Sequence, residues 1–277
     1  MAFTRMKDQI VIHGGANSPS TLNPRLREIL SQIDPEKDPL TMAVKPVVMM
    51  EDDPTFNAGT GSVPRIDGTI QMDAAVMSEE GFGSVICIEN VKNPVLVARD
   101  VMEKSPHIIL SGDGSVEFAR KMGYGYYNPE TEKSSNMMKQ LKESLKNNTL
   151  PEKFRFMVKS SDDTVGAVAR IDGKFAAAVS TGGSFPMLRG RVGDSPLIGA
   201  GIFVGKKGAI VATGIGEEIM KNLLSYRIYE SIGTESLSSI VQREVDKFKV
   251  SVGIIALSEN EYSVYANTDM ANAMIEY

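Results

Sequence analysis

From residue 164 onward the chain is written as pairs of apolar runs joined by tight turns, and this pattern limits the fold more than any other feature. Residues 164–171 and 175–179 flank Asp172-Gly173, a dipeptide suited to two-residue hairpins because both positions accept positive φ. Residues 196–204 and 209–212 read as a second pair of strands around a Gly-containing turn, and 251–257 with 262–265 as a third. Two helices are predicted between them. The first, 217–229, puts Ile219, Leu223 and Tyr226 on one face; the second, near 235–248, does the same with Leu237, Ile240, Val241, Val245 and Phe248. Hairpins in place of βαβ units predict antiparallel sheets covered by helices.

The first half is less regular. Residues 9–12 form a short apolar run that His13-Gly14-Gly15 is expected to end in a tight loop. Leu22, Leu26, Ile29, Leu30 and Ile33 recur at helical spacing. Asn93-Pro94 reads as a cap and first helical position ahead of Val95, Val97, Val101 and Met102. A further helix is expected at 115–122. Residues 128–162 are polar and lysine-rich, which fits a surface loop, an exposed helix or a mobile tail.

Several function classes drop out on composition. A length of 277 residues with 42% apolar content supports a sizeable core. The 30 basic residues are outnumbered by 35 acidic ones and form no long run, so nucleic acid is not an expected partner. The single cysteine, Cys87, can build neither an internal disulfide nor a cysteine-rich zinc site. The N-terminus has no apolar signal region, and no segment has the ~18 uncharged residues of a membrane span. A cytoplasmic protein without membrane partners is expected.

Motif checks narrow the field further. A phosphate-binding loop fails around Lys206, where Ala200 and Lys207 stand at required glycine and hydroxyl positions. Gly199-Ala200-Gly201 begins like a dinucleotide fingerprint, but Val204 replaces its third glycine. Only His13 and His107 exist, widely separated, so a serine triad or histidine metal site is disfavoured. A hydrolase built from this chain would need a base other than imidazole. A free α-amino group, with an unperturbed pKa of about 7.7–8.0, suits neutral pH.

Asp163-Thr164-Val165-Gly166-Ala167-Val168-Ala169 stands where the polar stretch meets the β-rich half. After it come Ser180-Thr181-Gly182-Gly183, Gly190-Arg191-Val192-Gly193-Asp194-Ser195-Pro196, Gly199-Ala200-Gly201 and Ala212-Thr213-Gly214-Ile215-Gly216-Glu217. Before it lie His13-Gly14-Gly15-Ala16, Phe56-Asn57-Ala58-Gly59-Thr60-Gly61-Ser62 and Met72-Asp73-Ala74-Ala75-Val76-Met77, and Asn267-Thr268-Asp269-Met270-Ala271 closes the series. In this order, and over nearly the whole chain apart from 128–162, the set resembles the plant-type asparaginase/isoaspartyl peptidase family of threonine N-terminal-nucleophile (Ntn) hydrolases.

The resemblance implies an α+β fold, a four-layer αββα sandwich of two antiparallel sheets between helical layers, formed as one domain over 1–277. It implies self-cleavage between Asp163 and Thr164 into an α subunit, 1–163, and a β subunit, 164–277, which makes the polar stretch the end of a subunit. Thr164 is then the nucleophile and its own freed amine the base. Thr181 is expected to hydrogen-bond that hydroxyl or amine, with Asn57 close by. Thr213 and the Gly214 N–H resemble the family's oxyanion hole, in which one donor is worth roughly 3–4 kcal/mol of transition-state stabilisation in other enzymes. Arg191 is expected to clamp the substrate's α-carboxylate and Asp194 to pair with its α-ammonium. L-Asparagine and β-aspartyl dipeptides are the implied substrates. No cofactor or catalytic metal is implied, although Met50-Glu51-Asp52-Asp53-Pro54-Thr55-Phe56 resembles a loop that wraps a structural sodium ion with backbone carbonyls. The family also implies a homodimer of processed αβ units.

Taken singly, these residues have plainer readings. Arg191 and Asp194 fit a surface salt bridge, Thr181-Gly182-Gly183 a strand-ending turn, Asn57 a loop that satisfies its own backbone, and His13 a strand end. The resemblance also has a departure: many relatives carry Gly before the nucleophile, where this chain has Asp163 beside Asp162. Three alternatives stay open: a glycosylasparaginase, a threonine endopeptidase cutting after aspartate, and an uncleaved binding protein.

Overall fold

Eleven strands form two sheets in the computed structural model, which describes residues 7–146 and 164–277; every count below is of those residues. In chain order the strands are β1 (Gln9–Ala16), β2 (Met72–Ser78), β3 (Phe82–Ile88), β4 (Ile109–Ser111), β5 (Val165–Ile171) and β6 (Lys174–Thr181). They continue as β7 (Ile202–Gly205), β8 (Gly208–Gly214), β9 (Val252–Ser258), β10 (Tyr262–Ala266) and β11 (Met270–Glu276). The helices are α1 (Asn23–Ser31), α2 (Pro39–Asp52), α3 (Pro94–Lys104), α4 (Gly112–Lys121), α5 (Glu132–Lys146), α6 (Gly216–Asn222), α7 (Leu224–Ser231) and α8 (Leu237–Val245).

The larger sheet has the order β11-β1-β5-β6-β2-β3-β4, the smaller β10-β9-β8-β7. All pairs are antiparallel except β3 with β4, a parallel edge pair that departs from the all-antiparallel expectation. Alternate side chains explain why the strands read as unbroken apolar runs. Ile10 and Ile12 of β1, Ala167 and Ala169 of β5, and Ala176 and Ala178 of β6 join a core with the first four helices. Their neighbours Val11, Val168, Ala177 and Val179 join Val211 of β8 and Ile255 of β9 in a core between the sheets. Ile210, Ala212, Ile254 and Ala256 face Ile219, Leu224, Ile240 and Val241 of α6, α7 and α8. The central strands are therefore covered on both faces and need no polar side, whereas the edge strands β4, β10 and β11 keep exposed or half-buried residues. Each fully buried branched aliphatic contributes about 1.5–3 kcal/mol.

The 172–173 hairpin forms as expected, with φ of 48° at Asp172 and 75° at Gly173. Elsewhere local structure departs from the sequence reading. Residues 13–15 do not end β1 but continue it through an irregularity between His13 and Ala16. Strand β7 starts only at Ile202, because Gly199, at φ 84°, turns the preceding segment. The carbonyls of Gly199 and Ala200 then accept the Tyr226 and Ser225 N–H groups at the start of α7. That contact splits the expected 217–229 helix in two, with Leu223 left-handed at φ 46° between the halves. Leu223 and Tyr226 are consequently exposed rather than on a core face. Asn93 precedes α3 without capping it; its Nδ2 donates to Asp52, and the Val95 N–H is met by Glu51 instead. Of the polar stretch, 132–146 is helical, and 147–162 lies outside the described residues.

Candidate functional site

The site lies where the two sheets meet at one end of their central strands. Thr164 directly precedes β5, and Thr181 ends its neighbour β6, so continuing the ladder from Val165↔Ser180 sets the two threonines side by side. Both are buried. The Thr164 Oγ1–H donates to Thr181 Oγ1 at 3.2 Å, and the same Thr181 oxygen accepts the Gly183 N–H at 2.9 Å. Asn57 locks the turn that carries that N–H. Its Nδ2 donates to the Gly183 carbonyl at 2.6 Å, its Oδ1 accepts from Val63 N at 3.0 Å, and its own carbonyl accepts the Gly182 N–H at 2.9 Å. A Cβ at Gly182 would strike Asn57 Oδ1, so glycine is needed for the approach.

Strand β8 brings the next pair. Thr213 is fully buried and its Oγ1 accepts the Ala16 N–H at 3.0 Å. With a donor already aimed at its oxygen, the Thr213 proton is available to a different acceptor. Gly214 follows at φ 133°, a value side chains rarely adopt, and lines a cavity of about 10 Å³ with Thr164, Thr181, Arg191, Gly193 and Asp194. Space of that size holds about one water. Larger clefts, of about 400 and 390 Å³, are lined by Lys206, Lys207 and Ser258 and by Ile171, Asp172 and Phe175, at the opposite ends of the strands.

Arg191 does not depend on Asp194 for its partner. Its Nε and Nη2 donate to the two Glu217 carboxylate oxygens at 2.9 and 2.7 Å, while Asp194 adds charge nearby. Burial works against the charged guanidinium, but the Glu217 bond and the charges of Glu217, Asp194 and Asp73 together hold Arg191 above its ordinary pKa. Glu217 moves reciprocally: burial would raise its pKa, and the Arg191 bond and charge, with its own backbone N–H and Lys221, together bring it below the usual carboxylate value.

A family profile described as Asparaginase matches residues 6–275. The chain belongs to the asparaginase family. It is 39% identical over 234 residues to a plant-type L-asparaginase of Pyrococcus horikoshii, covering 78% of this chain and 76% of that one. It is 35% identical over 297 aligned positions to an isoaspartyl peptidase of Escherichia coli, covering 95% and 91%. An N(4)-(beta-N-acetylglucosaminyl)-L-asparaginase of Elizabethkingia miricola is 38% identical over 247 residues, with 82% and 71% covered.

In this member of the asparaginase family, Thr164, Thr181, Gly214, Arg191 and Asp194 line one cavity, Asn57 joins them through the Gly183 turn, and Thr213 stands next to Gly214 with its hydroxyl oxygen on the Ala16 N–H. Asp163 lies outside the described residues. The sequence reading assigned no role to two carboxylates beside them, Glu217 and Asp73, and read His13 only as a strand end. Glu217, on the first turn of α6, grips Arg191. Asp73, opposite Thr181 across β2 and β6, is buried and accepts the Cys87 N–H at 2.7 Å, with the Arg65 and Arg191 charges nearby. Burial raises its pKa against those attractions. A lone acid inside an apolar run was the available signal for Asp73. His13 is fully buried beside β5, its Nδ1 accepting the Gly15 N–H at 3.0 Å. Burial lowers its pKa to about 3, opposed in part by the Thr164 backbone, so the ring is neutral near pH 7.

Proposed function

We propose that the chain is a self-processing amidohydrolase that cleaves the side-chain amide of L-asparagine and of β-aspartyl peptides through Thr164. The observation that carries this reading is that Thr164, Thr181, Gly214, Arg191 and Asp194 line one small cavity, the Thr164 hydroxyl donating to that of Thr181. The names of the relatives support it. So do the three stacked cores, which fit the four-layer αββα arrangement of Ntn hydrolases.

Maturation begins when Thr164 Oγ attacks the Asp163 carbonyl carbon. The acyl group moves from nitrogen to oxygen, and water hydrolyses the resulting ester to leave a carboxylate on Asp163 and a free amine on Thr164. The separated chain ends are expected to enlarge the small cavity. In turnover the amine accepts the Oγ proton as Oγ attacks the side-chain amide carbon. Thr213 O–H and Gly214 N–H hold the oxyanion. Collapse expels ammonia or an amine, which takes the proton from the Thr164 ammonium, and water then releases aspartate from the ester. Thr181 fixes the rotamer of the attacking hydroxyl. Arg191 and Asp194, one cation and one anion, complement the zwitterion of a free amino acid.

The same pair disfavours a mid-chain endopeptidase, whose substrate residue has neither α-group free. A glycosylated asparagine does present both, and likeness to the Elizabethkingia miricola protein favours it as the second reading. A homodimer of processed units accompanies the primary reading. A structural cation held by backbone carbonyls of the loop over 50–60 accompanies the same reading. Such neutral oxygens suit a hard cation, and the loop would brace Asn57 from behind. The deciding experiment compares ammonia release from L-asparagine, amino-acid release from a β-aspartyl dipeptide and glycosylamine release from glycosylated asparagine. Turnover of the first two supports the reading. A fully processed protein that hydrolyses neither overturns it.

A further inference from the structure

Glu217 holds Arg191 along one edge only. Its two oxygens take Nε–H and the parallel Nη2–H, which together form one side of the planar guanidinium. Nη1 and the second Nη2–H form another edge with the same bidentate geometry. The cavity beside Thr164 is lined by Arg191, whereas Glu217 is not among the described residues that line it. Gly193, which lines the same cavity, lies against Nη1, so the edge that Glu217 leaves open is the one beside that cavity. Gly193 and Gly216 press close to the fork: a Cβ at Gly193 would fall 2.9 Å from Nη1, and one at Gly216 would fall 3.1 Å from Nη2 and 2.8 Å from Asp194 Oδ1. Only a narrow slot accommodates the arginine head.

We infer that Glu217 is a positioning residue for the carboxylate clamp, holding Arg191 by its Nε edge so that the Nη1/Nη2 edge is already presented to the substrate's α-carboxylate. The inference rests on the amidohydrolase reading above and assigns the site's discrimination for a free α-carboxylate to two residues instead of one. An unanchored arginine would have to lose its side-chain freedom at each binding event. One held by an internal carboxylate has lost it on folding. A substrate without the α-carboxylate gains nothing from this arrangement.

The test measures KM and kcat for L-asparagine and for its α-carboxamide with the wild-type chain, Glu217→Ala and Glu217→Gln after maturation. Glu217→Ala is expected to raise KM for L-asparagine about tenfold with kcat little changed, and to lower the kcat/KM preference for L-asparagine over the carboxamide by a similar factor. Glu217→Gln preserves volume and one acceptor oxygen, so it is expected to fold and to show the same shift in smaller measure. An unchanged or lower KM in both variants, or a fall in kcat shared equally by the two substrates, overturns the inference and leaves the amidohydrolase reading intact. A fully processed wild type inactive on both substrates overturns the reading itself, and this inference with it.

Discussion

Thr164 Oγ1 and Thr181 Oγ1 lie 3.2 Å apart at opposite termini of adjacent central strands, hydrogen-bonded to each other in the continuous chain. The rotamer of the proposed nucleophile is thus set in the continuous chain. Because Thr181 also accepts the Gly183 N–H, and Asn57 secures Gly183, the orientation is fixed through three segments distant in sequence.

Removing the Thr164 hydroxyl removes the only atom asked to attack in both maturation and turnover. Thr164→Ala is expected to remain a single 30.1 kDa chain without amidase activity. Wild type is expected to yield fragments of about 18 and 12 kDa, apportioned by residue count and a uniform mean residue mass. Denaturing electrophoresis of aged samples separates the two outcomes, and cleavage persisting in the variant contradicts the assignment.

Arg191→Lys keeps a positive charge but loses the planar fork. It is expected to lower kcat/KM for L-asparagine roughly a hundredfold, the scale of one charge-assisted bond lost from a buried site. Initial-rate kinetics on the matured variant measure this. Near-wild-type kcat/KM would place substrate binding elsewhere.

The strands were legible where both faces are buried, because Ile10 to Ile12 or Ile210 to Ala212 then have no polar interruption to mask them. Residues 196–204 misled for the same reason: Ile198 and Ala200 are apolar, but the backbone is turned at Gly199 and docked on α7. Helix α2 carries Pro46 in its interior, lacks a clean helical signature and was not read from the sequence; the unused signal was Asp38, whose side chain accepts the Leu40 and Thr41 N–H groups. The site motifs were readable from order and residue type. Glu217 was not, since its bond to Arg191 joins side chains 26 positions apart and leaves no local pattern.

Gly182 tests the link between Asn57 and the threonines. In Gly182→Ala the new Cβ would strike Asn57 Oδ1 and fall 2.7 Å from Ser62 Cβ. Overpacking of this kind costs about 1–3 kcal/mol, and displaced Asn57 no longer holds Gly183. A lower Tm and slower maturation are expected together. Gly114→Ala, where no atom lies within 4 Å, is the control and is expected to keep or raise Tm. Unimpaired maturation in Gly182→Ala would show that Asn57 is dispensable.

His13 predicts an acid limb of stability. The unfolded chain binds a proton at this residue below pH ~6.5, while the folded chain resists until about 3 because burial disfavours the cation. Its contribution is therefore complete above ~6.5 and is lost as pH falls toward 3, at up to ~1.4 kcal/mol per pH unit. Asn at position 13 can still accept the Gly15 N–H but does not titrate. Chemical denaturation of wild type and His13→Asn is expected to show curves that converge as pH falls across this window. Parallel curves would contradict a neutral buried imidazole.

The account depends most on Thr164 becoming a chain terminus, which lets one residue supply both the attacking oxygen and the proton acceptor. N-terminal sequencing of purified, aged wild-type protein tests this directly. The predicted result is a second terminus reading Thr-Val-Gly-Ala, in amounts that track amidase activity. Activity from material containing no such terminus would contradict the mechanism.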